Sequence, residues 1–329
     1  MNKPIKWGII GPGIIANRFA TACVGRPGAT LHGVASRDLA RAKAFANTYS
    51  IATYHDSYEA LATDPDIDAI YIAVPHTGHC AETLLCLKHG KAVLCEKPLT
   101  LNHALASTMV NAARTHNIFL MEAMWTRFIP AIIKAKELID QGAIGTVNYL
   151  RADFGVQAEY DPSNRSFNLA LGGGAMLDLG VYPLFLALYM LGKPTGIKAV
   201  SKLAATGADQ TTNALLSFAD GSIASILSSF AVKTPANAEI IGTEGTITIH
   251  APWYQATALT ISSEKGKPQL LQFPYPGNGF EFQIDEVIQC LQNGQKESLL
   301  MPLDFSLLLA EVSDEIRRQC GIRYAEDIV

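Results

Sequence analysis

The chain has 329 residues, with 26 basic and 30 acidic side chains and a formal net charge of −4. One hydrophobic core rarely grows past roughly 250–300 residues, so the length predicts two domains. With 49% hydrophobic and 17% charged residues the composition excludes disorder, and the slightly acidic balance argues against a general binder of nucleic acid or anionic membranes, local basic patches aside.

Near the N-terminus, Lys3 and Lys6 precede an apolar run, Trp7 to Ala16, and Ala20-Thr21-Ala22 fits a signal-cleavage pattern. Glycines and a proline within that run, and Arg18 just after it, argue against a signal peptide, and cleavage would remove the first predicted strand. A cytoplasmic protein is expected. Six cysteines with no CxxC pair read as reduced thiols rather than as disulfides or a zinc site. The 14-residue apolar stretch Leu179 to Gly192 falls short of the roughly 20 residues of a membrane span, so no membrane partner is expected.

The first 120 residues alternate short apolar strands with helical patterns, the grammar of βαβ units and a doubly wound parallel sheet. Strands are predicted at Lys6–Ile10, Leu31–Ala35, Ala69–Val74, Val93–Cys95 and Ile118–Met121. Helices are predicted at Ile14–Cys23, Leu39–Thr48, Ser57–Ala62, Cys80–Lys88 and Asn102–His116, with Asp38 and Asp56 as N-caps. The strands lack polar alternation, as expected where helices cover both faces. Beyond Met121 a helical pattern (Ile132, Ala135, Leu138, Ile139) runs to Gln141-Gly142. Alternating strands follow, with Leu150, Ala152 and Phe154 sharing one face and Asp220-Gly221 and Glu244-Gly245 as turns. The fold expected is therefore α/β: a dinucleotide-type domain over residues 1–122 and an α+β domain over 123–329 with a large, mostly antiparallel open sheet. An uncovered apolar sheet face would suit a homodimer or higher homo-oligomer.

Gly11-Pro12-Gly13-Ile14-Ile15-Ala16 is a GxGxxA loop placed directly between a strand and a helix. Gly11 allows a tight turn, Gly13 lets a pyrophosphate approach the backbone, and Ala16 allows close helix–strand packing. The free N–H groups of the helix start, at Ile14 and Ile15, then face the phosphates. The second strand ends Val34-Ala35-Ser36-Arg37 without the acidic residue that would hold a ribose 2′-OH. Ser36 and Arg37 instead suit a 2′-phosphate, which favours NADP(H) with NAD as the alternative. Asp38 stands two residues late and suits a helix cap.

Ligands of a doubly wound sheet lie beyond the carboxyl ends of its strands. Two such loops carry polar groups: Val74-Pro75-His76-Thr77-Gly78-His79 and Cys95-Glu96-Lys97-Pro98. Pro75, His76, His79 and Glu96 are candidate cofactor contacts. His76 and His79 lack the further ligands of a metal site, so no metal is expected. A lysine before proline is biased towards an extended or turn backbone, which would aim Lys97 off the strand end towards cofactor and substrate hydroxyl.

The GPGIIA loop, Glu96-Lys97-Pro98 and the segment Gly172-Gly173-Gly174-Ala175-Met176-Leu177-Asp178-Leu179-Gly180-Val181-Tyr182 occur in an order that resembles the glucose–fructose oxidoreductase/inositol dehydrogenase (Gfo/Idh/MocA) family along essentially the whole chain. Met121-Glu122-Ala123-Met124-Trp125-Thr126-Arg127-Phe128 further resembles its dihydrodiol and xylose dehydrogenase branch. The resemblance implies a Rossmann domain, Lys97 and Tyr182 as the catalytic pair, and Asp178 orienting substrate or tyrosine. It also implies Trp125, Phe154 and Phe280 as aromatic walls for a sugar or cyclic diol. If Gly174 opens a helix, Asp178 and Tyr182 share one face, and Pro183 predicts a distorted turn beside them. The expected activity is hydride transfer between nicotinamide and a secondary alcohol or ketone. The alternatives are a keto- or anhydro-sugar reductase and a non-catalytic NADP-sensing regulator.

Overall fold

The computed structural model describes residues 3–263 and 266–327; the outer limits of both expected domains, residues 1–2 and 328–329, lie outside them. The chain runs β1 (Ile5–Ile10), α1 (Ile14–Cys23), β2 (Ala29–Ala35), α2 (Leu39–Tyr49), β3 (Thr53–His55), α3 (Tyr58–Thr63), β4 (Ala69–Ile72), α4 (His79–Lys88), β5 (Ala92–Glu96), α5 (His103–His116) and β6 (Leu120–Ala123). These six strands form one parallel sheet in the order β3-β2-β1-β4-β5-β6, whose direction of winding reverses between β1 and β4. Ile9, Val34, Ile70, Tyr71 and Leu94 are fully enclosed, which explains why their strands show no polar alternation.

Two local expectations change. The three-residue edge strand β3 is too short to show a period and was not predicted. Asp38 caps α2, accepting the N–H groups of Ala40 and Arg41 at 2.9 and 3.3 Å. Asp56, however, is not the cap of α3. That helix starts at Tyr58, so the residue three positions before Ala60 is Ser57, whose hydroxyl accepts the Ala60 N–H at 3.2 Å.

The chain continues through α6 (Pro130–Asp140), β7 (Val147–Gly155), α7 (Val181–Leu191), β8 (Gly196–Leu203), β9 (Asp209–Ser217), β10 (Ile223–Ser229), β11 (Ala238–Gly242), β12 (Gly245–Ile249), β13 (Ala258–Ser263) and β14 (Gln269–Gln272). These eight strands pair in the order β14-β13-β12-β11-β7-β10-β9-β8, antiparallel except for β7 with β10. Leu150, Leu216, Ile226, Ile240 and Ile247 are buried, with α7 packed against β7 and β10 and α6 against β12 and β13. Leu169–Leu191 is apolar enough in composition to span a membrane, but 89% of its most apolar window is buried inside the protein. It is a core helix.

After β14 come α8 (Phe280–Gln292) and α9 (Leu303–Cys320). Two compact units result: residues 1–125 with 277–307, and residues 126–276 with 308–329. The return of 277–307 to the first unit differs from the simple division at 122/123. The apolar face of α8 reports a partner but not which one. In the structure Asp285 of α8 pairs with Arg26, and Ile288 lies so close to Gly28 that a Cβ there would meet it at 3.2 Å.

Candidate active site

In the first unit, β1 delivers the chain to Gly11, which has φ of +86°. A Cβ at Gly11 would stand 2.8 Å from the Ala73 carbonyl oxygen, so both conformation and space require glycine. Gly13 is different. Its backbone is extended, and a Cβ would find no heavy atom within 4 Å. The fold itself therefore does not demand glycine there, whereas close approach of an anion to the start of α1 does. That start has no side-chain cap and no acidic residue in its first turn, and Ile14 beside it is exposed. Ala16, one turn on, is fully enclosed, as its packing role requires. These features fit a dinucleotide pyrophosphate.

At the end of β2, the Ser36 hydroxyl oxygen accepts the Asp38 N–H at 3.2 Å, leaving its O–H to donate elsewhere. Asp38 spends its carboxylate on α2. Arg37 is exposed, and the Arg37 and Arg41 charges both lie close to the Tyr58 phenol. Sequence reasoning missed Arg41, although its place in the first turn after Arg37 was a usable signal.

Beyond β4 and β5 the polar residues turn largely inward. His79 is fully enclosed, with Nδ1 at 2.8 Å from the Pro98 carbonyl and Nε2 at 3.0 Å from that of Val74. Burial lowers its pKa to about 4, so the ring is neutral at physiological pH and donates to one carbonyl at a time. It ties the loop after β4 to the loop after β5. His76 is 5% exposed and its ring lies 5.6 Å from that of His79. Glu96 also faces inward, accepting the Tyr71 hydroxyl and, at 3.1 Å, the Lys97 N–H. Tyr71 in turn stacks on Phe19 of α1, ring centroids 3.9 Å apart. Lys97 itself is 8% exposed and follows directly from this anchored strand end.

Trp125 and Phe280 stack at 5.1 Å in the same unit, and the Arg18 guanidinium lies over both rings at 5.1 and 4.9 Å. Arg18 is held by the Asn278 carbonyl at 3.0 Å. No feature of the sequence pointed to this partnership, because it depends on the return of α8.

The second unit gathers Phe154, Tyr182 and Asp178. Phe154 meets Tyr182 edge-on at 5.4 Å and stacks on Tyr254 at 4.1 Å. Tyr254 was not anticipated. Asp178 is 8% exposed and accepts Arg165 Nη2 at 2.6 Å, a second residue absent from the sequence reading. Residues Met176–Gly180 form a π-helical turn leading into α7, so the expected α-helical face shared by Asp178 and Tyr182 is not what forms. Pro183 cannot donate within that helix, in keeping with a distortion at its start. Buried Asp209 fixes the turn, accepting the Met176 N–H at 2.7 Å and the Thr212 hydroxyl at 2.6 Å. A Cβ on Gly174, whose φ is +136°, would collide with that carboxylate.

Comparison with known proteins agrees with this architecture. Residues 5–124 match the family described as "Oxidoreductase family, NAD-binding Rossmann fold", and residues 132–248 match "GFO/IDH/MocA C-terminal domain". The chain is 38% identical over 332 residues to trans-1,2-dihydrobenzene-1,2-diol dehydrogenase of Mus musculus, covering 98% of this chain and 99% of the relative. The enzyme of that name from Homo sapiens is 36% identical, with the same coverage. Among solved structures, a 3-ketoreductase from Actinomadura kijaniata in complex with NADP and TDP-benzene superposes with a TM-score of 0.88 at 26% identity, covering 97% of this chain and 98% of that one. An aldose-aldose oxidoreductase from Caulobacter crescentus complexed with glycerol gives 0.86 at 26% identity, with the same coverage.

Proposed function

Because the chain belongs to the Gfo/Idh/MocA family of oxidoreductases, we propose that it transfers hydride between NADP(H) and a secondary alcohol or ketone of a sugar or cyclic diol. The observation that carries the reading is the Gly11–Ala16 turn, with Gly13 open to an anion at the uncapped start of α1. The nicotinamide, when bound, supplies the hydride chemistry. Gly11, Gly13, Ile14, Ile15 and Ala16 hold the pyrophosphate, Ser36, Arg37 and Arg41 receive the 2′-phosphate, and Pro75 and His76 line the cofactor loop. Tyr182 takes the proton of the reacting hydroxyl, Lys97 assists by its charge, and Asp178 orients the phenol or the substrate. Trp125, Phe154 and Phe280 offer apolar walls to a ring-shaped substrate. The similarity to a ketoreductase supports the reductive direction as a second reading, with the same residues run in reverse.

Cofactor choice is tested by nicotinamide fluorescence. Arg37→Ala removes a charge-assisted contact worth about 1.5–3 kcal/mol, so NADPH affinity should fall about 10- to 100-fold while NADH affinity is unchanged. A clear preference of the native protein for NADH would overturn the assignment. Turnover is then followed by nicotinamide absorbance against pentoses, hexoses, inositols and cyclic diols. Turnover with none of them would favour a sensing role.

The large sheet also supports self-association, in a cytoplasmic homodimer. Val200, Leu215 and Ile223 are exposed on the face opposite Leu216, Ala224 and Ile226. Native protein should sediment as a dimer and Leu215→Asp as a monomer; a monomeric native protein would remove this face as an interface.

A further inference from the structure

Glu122 lies on β6, paired in register with Cys95 of β5, and is 1% exposed. Its Oε1 accepts the Leu99 N–H at 2.9 Å. Together with the Glu96 bond to the Lys97 N–H and the His79 bond to the Pro98 carbonyl, this places a buried titratable side chain on each of three consecutive residues: Lys97, Pro98 and Leu99. The groups facing the Glu122 carboxyl are the Ser306 hydroxyl from α9, the Leu99 N–H, and the charges of Glu96 and Lys97; the buried Cys95 thiol is also within its field. Burial raises the Glu122 pKa to about 7; the nearby Ser306 hydroxyl and the Leu99 hydrogen bond oppose that rise, Glu96 adds to it and Lys97 opposes it. A carboxyl so placed has no access to solvent, and the Lys97 charge lies within its field.

We propose that Glu122 is a positioning residue for Lys97: it clamps the loop that carries the lysine and contributes a negative charge that strengthens the hold of the lysine amine on its proton. The effect on turnover rests on the reading of Lys97 as a catalytic group, whereas the effect on the amine does not. Above neutral pH the ionised carboxylate stabilises the ammonium form of Lys97; removing that charge releases the proton more readily.

The amine can be read directly by competitive acetylation across a pH series, with the Lys97 peptide quantified by mass spectrometry. In Glu122→Gln, which keeps an oxygen acceptor for the Leu99 N–H, the labelling midpoint should move down. The alkaline limb of kcat/KM should move with it while KM for the dinucleotide stays constant. Glu122→Asp keeps the charge and should restore the native midpoint, even where the shorter side chain lowers kcat by loosening the loop; it also provides the comparison if the Gln variant folds poorly. An unchanged midpoint in Gln, or an equal shift in Gln and Asp, overturns the proposal. If Lys97→Met retains full turnover, the catalytic reading of Lys97 falls, and the labelling midpoint still decides the action of Glu122.

Discussion

Lys97→Met and Tyr182→Phe should each lower kcat by about 100- to 10,000-fold, the range for loss of a positioned proton-transfer group, and leave dinucleotide affinity unchanged. Both replacements preserve bulk. Methionine keeps most of the lysine stem, and phenylalanine keeps the ring that meets Phe154 and Tyr254, so the packing around each site survives. Neither residue belongs to the turn at Gly11–Ala16 that would receive the pyrophosphate. The double variant should lose little more than the worse single one, since groups that act on one proton transfer are not additive. Stopped-flow absorbance of the nicotinamide under single-turnover conditions separates this from slow product release. Near-native turnover in both variants would sink the mechanism.

Gly13→Asp should fold as well as the native protein and fail to bind dinucleotide. Aspartate is a favoured N-cap, its charge suits the start of α1, and its Cβ would meet nothing within 4 Å. Against a pyrophosphate the same carboxylate is a like charge at close range, costing several kcal/mol, or a loss of about 100-fold or more in affinity. Gly11→Val makes the informative contrast. With φ of +86° and the Ala73 carbonyl in its path, it should lower the melting temperature with or without ligand. Calorimetry paired with NADPH titration reads both. A Gly13→Asp protein that binds NADPH normally would mean that the anion site lies elsewhere.

How much the sequence disclosed follows from the range of each interaction. Strands buried on both faces leave continuous apolar runs, so β1, β2, β4, β5 and β6 were legible to within about two residues at each end. Asp38 was legible as a cap because the cap and the helix it serves are neighbours. The π-helical turn was only half legible. Pro183 announced a distortion, but the group that fixes the turn is Asp209, distant in sequence and recruited by the second sheet. Arg165 beside Asp178 and Tyr254 beside Phe154 were silent for the same reason. Arg18 shows the limit most plainly: its aromatic partners are Trp125 and Phe280, and nothing local to α1 could have named either.

The return of residues 277–307 to the first unit makes the protein modular in space but not along its gene. No single cut releases an intact nucleotide-binding half. Ending the chain after Trp125 would strip α1 of its packing against α8 and leave Arg26 without Asp285. Recombination that swaps the second unit for another must therefore exchange an internal cassette with matched joints at both of its ends, and supply a compatible tail as well. If Phe154 and its neighbour Tyr254 line the substrate as proposed, point substitutions there are a more accessible route to new specificity than exchange of whole units.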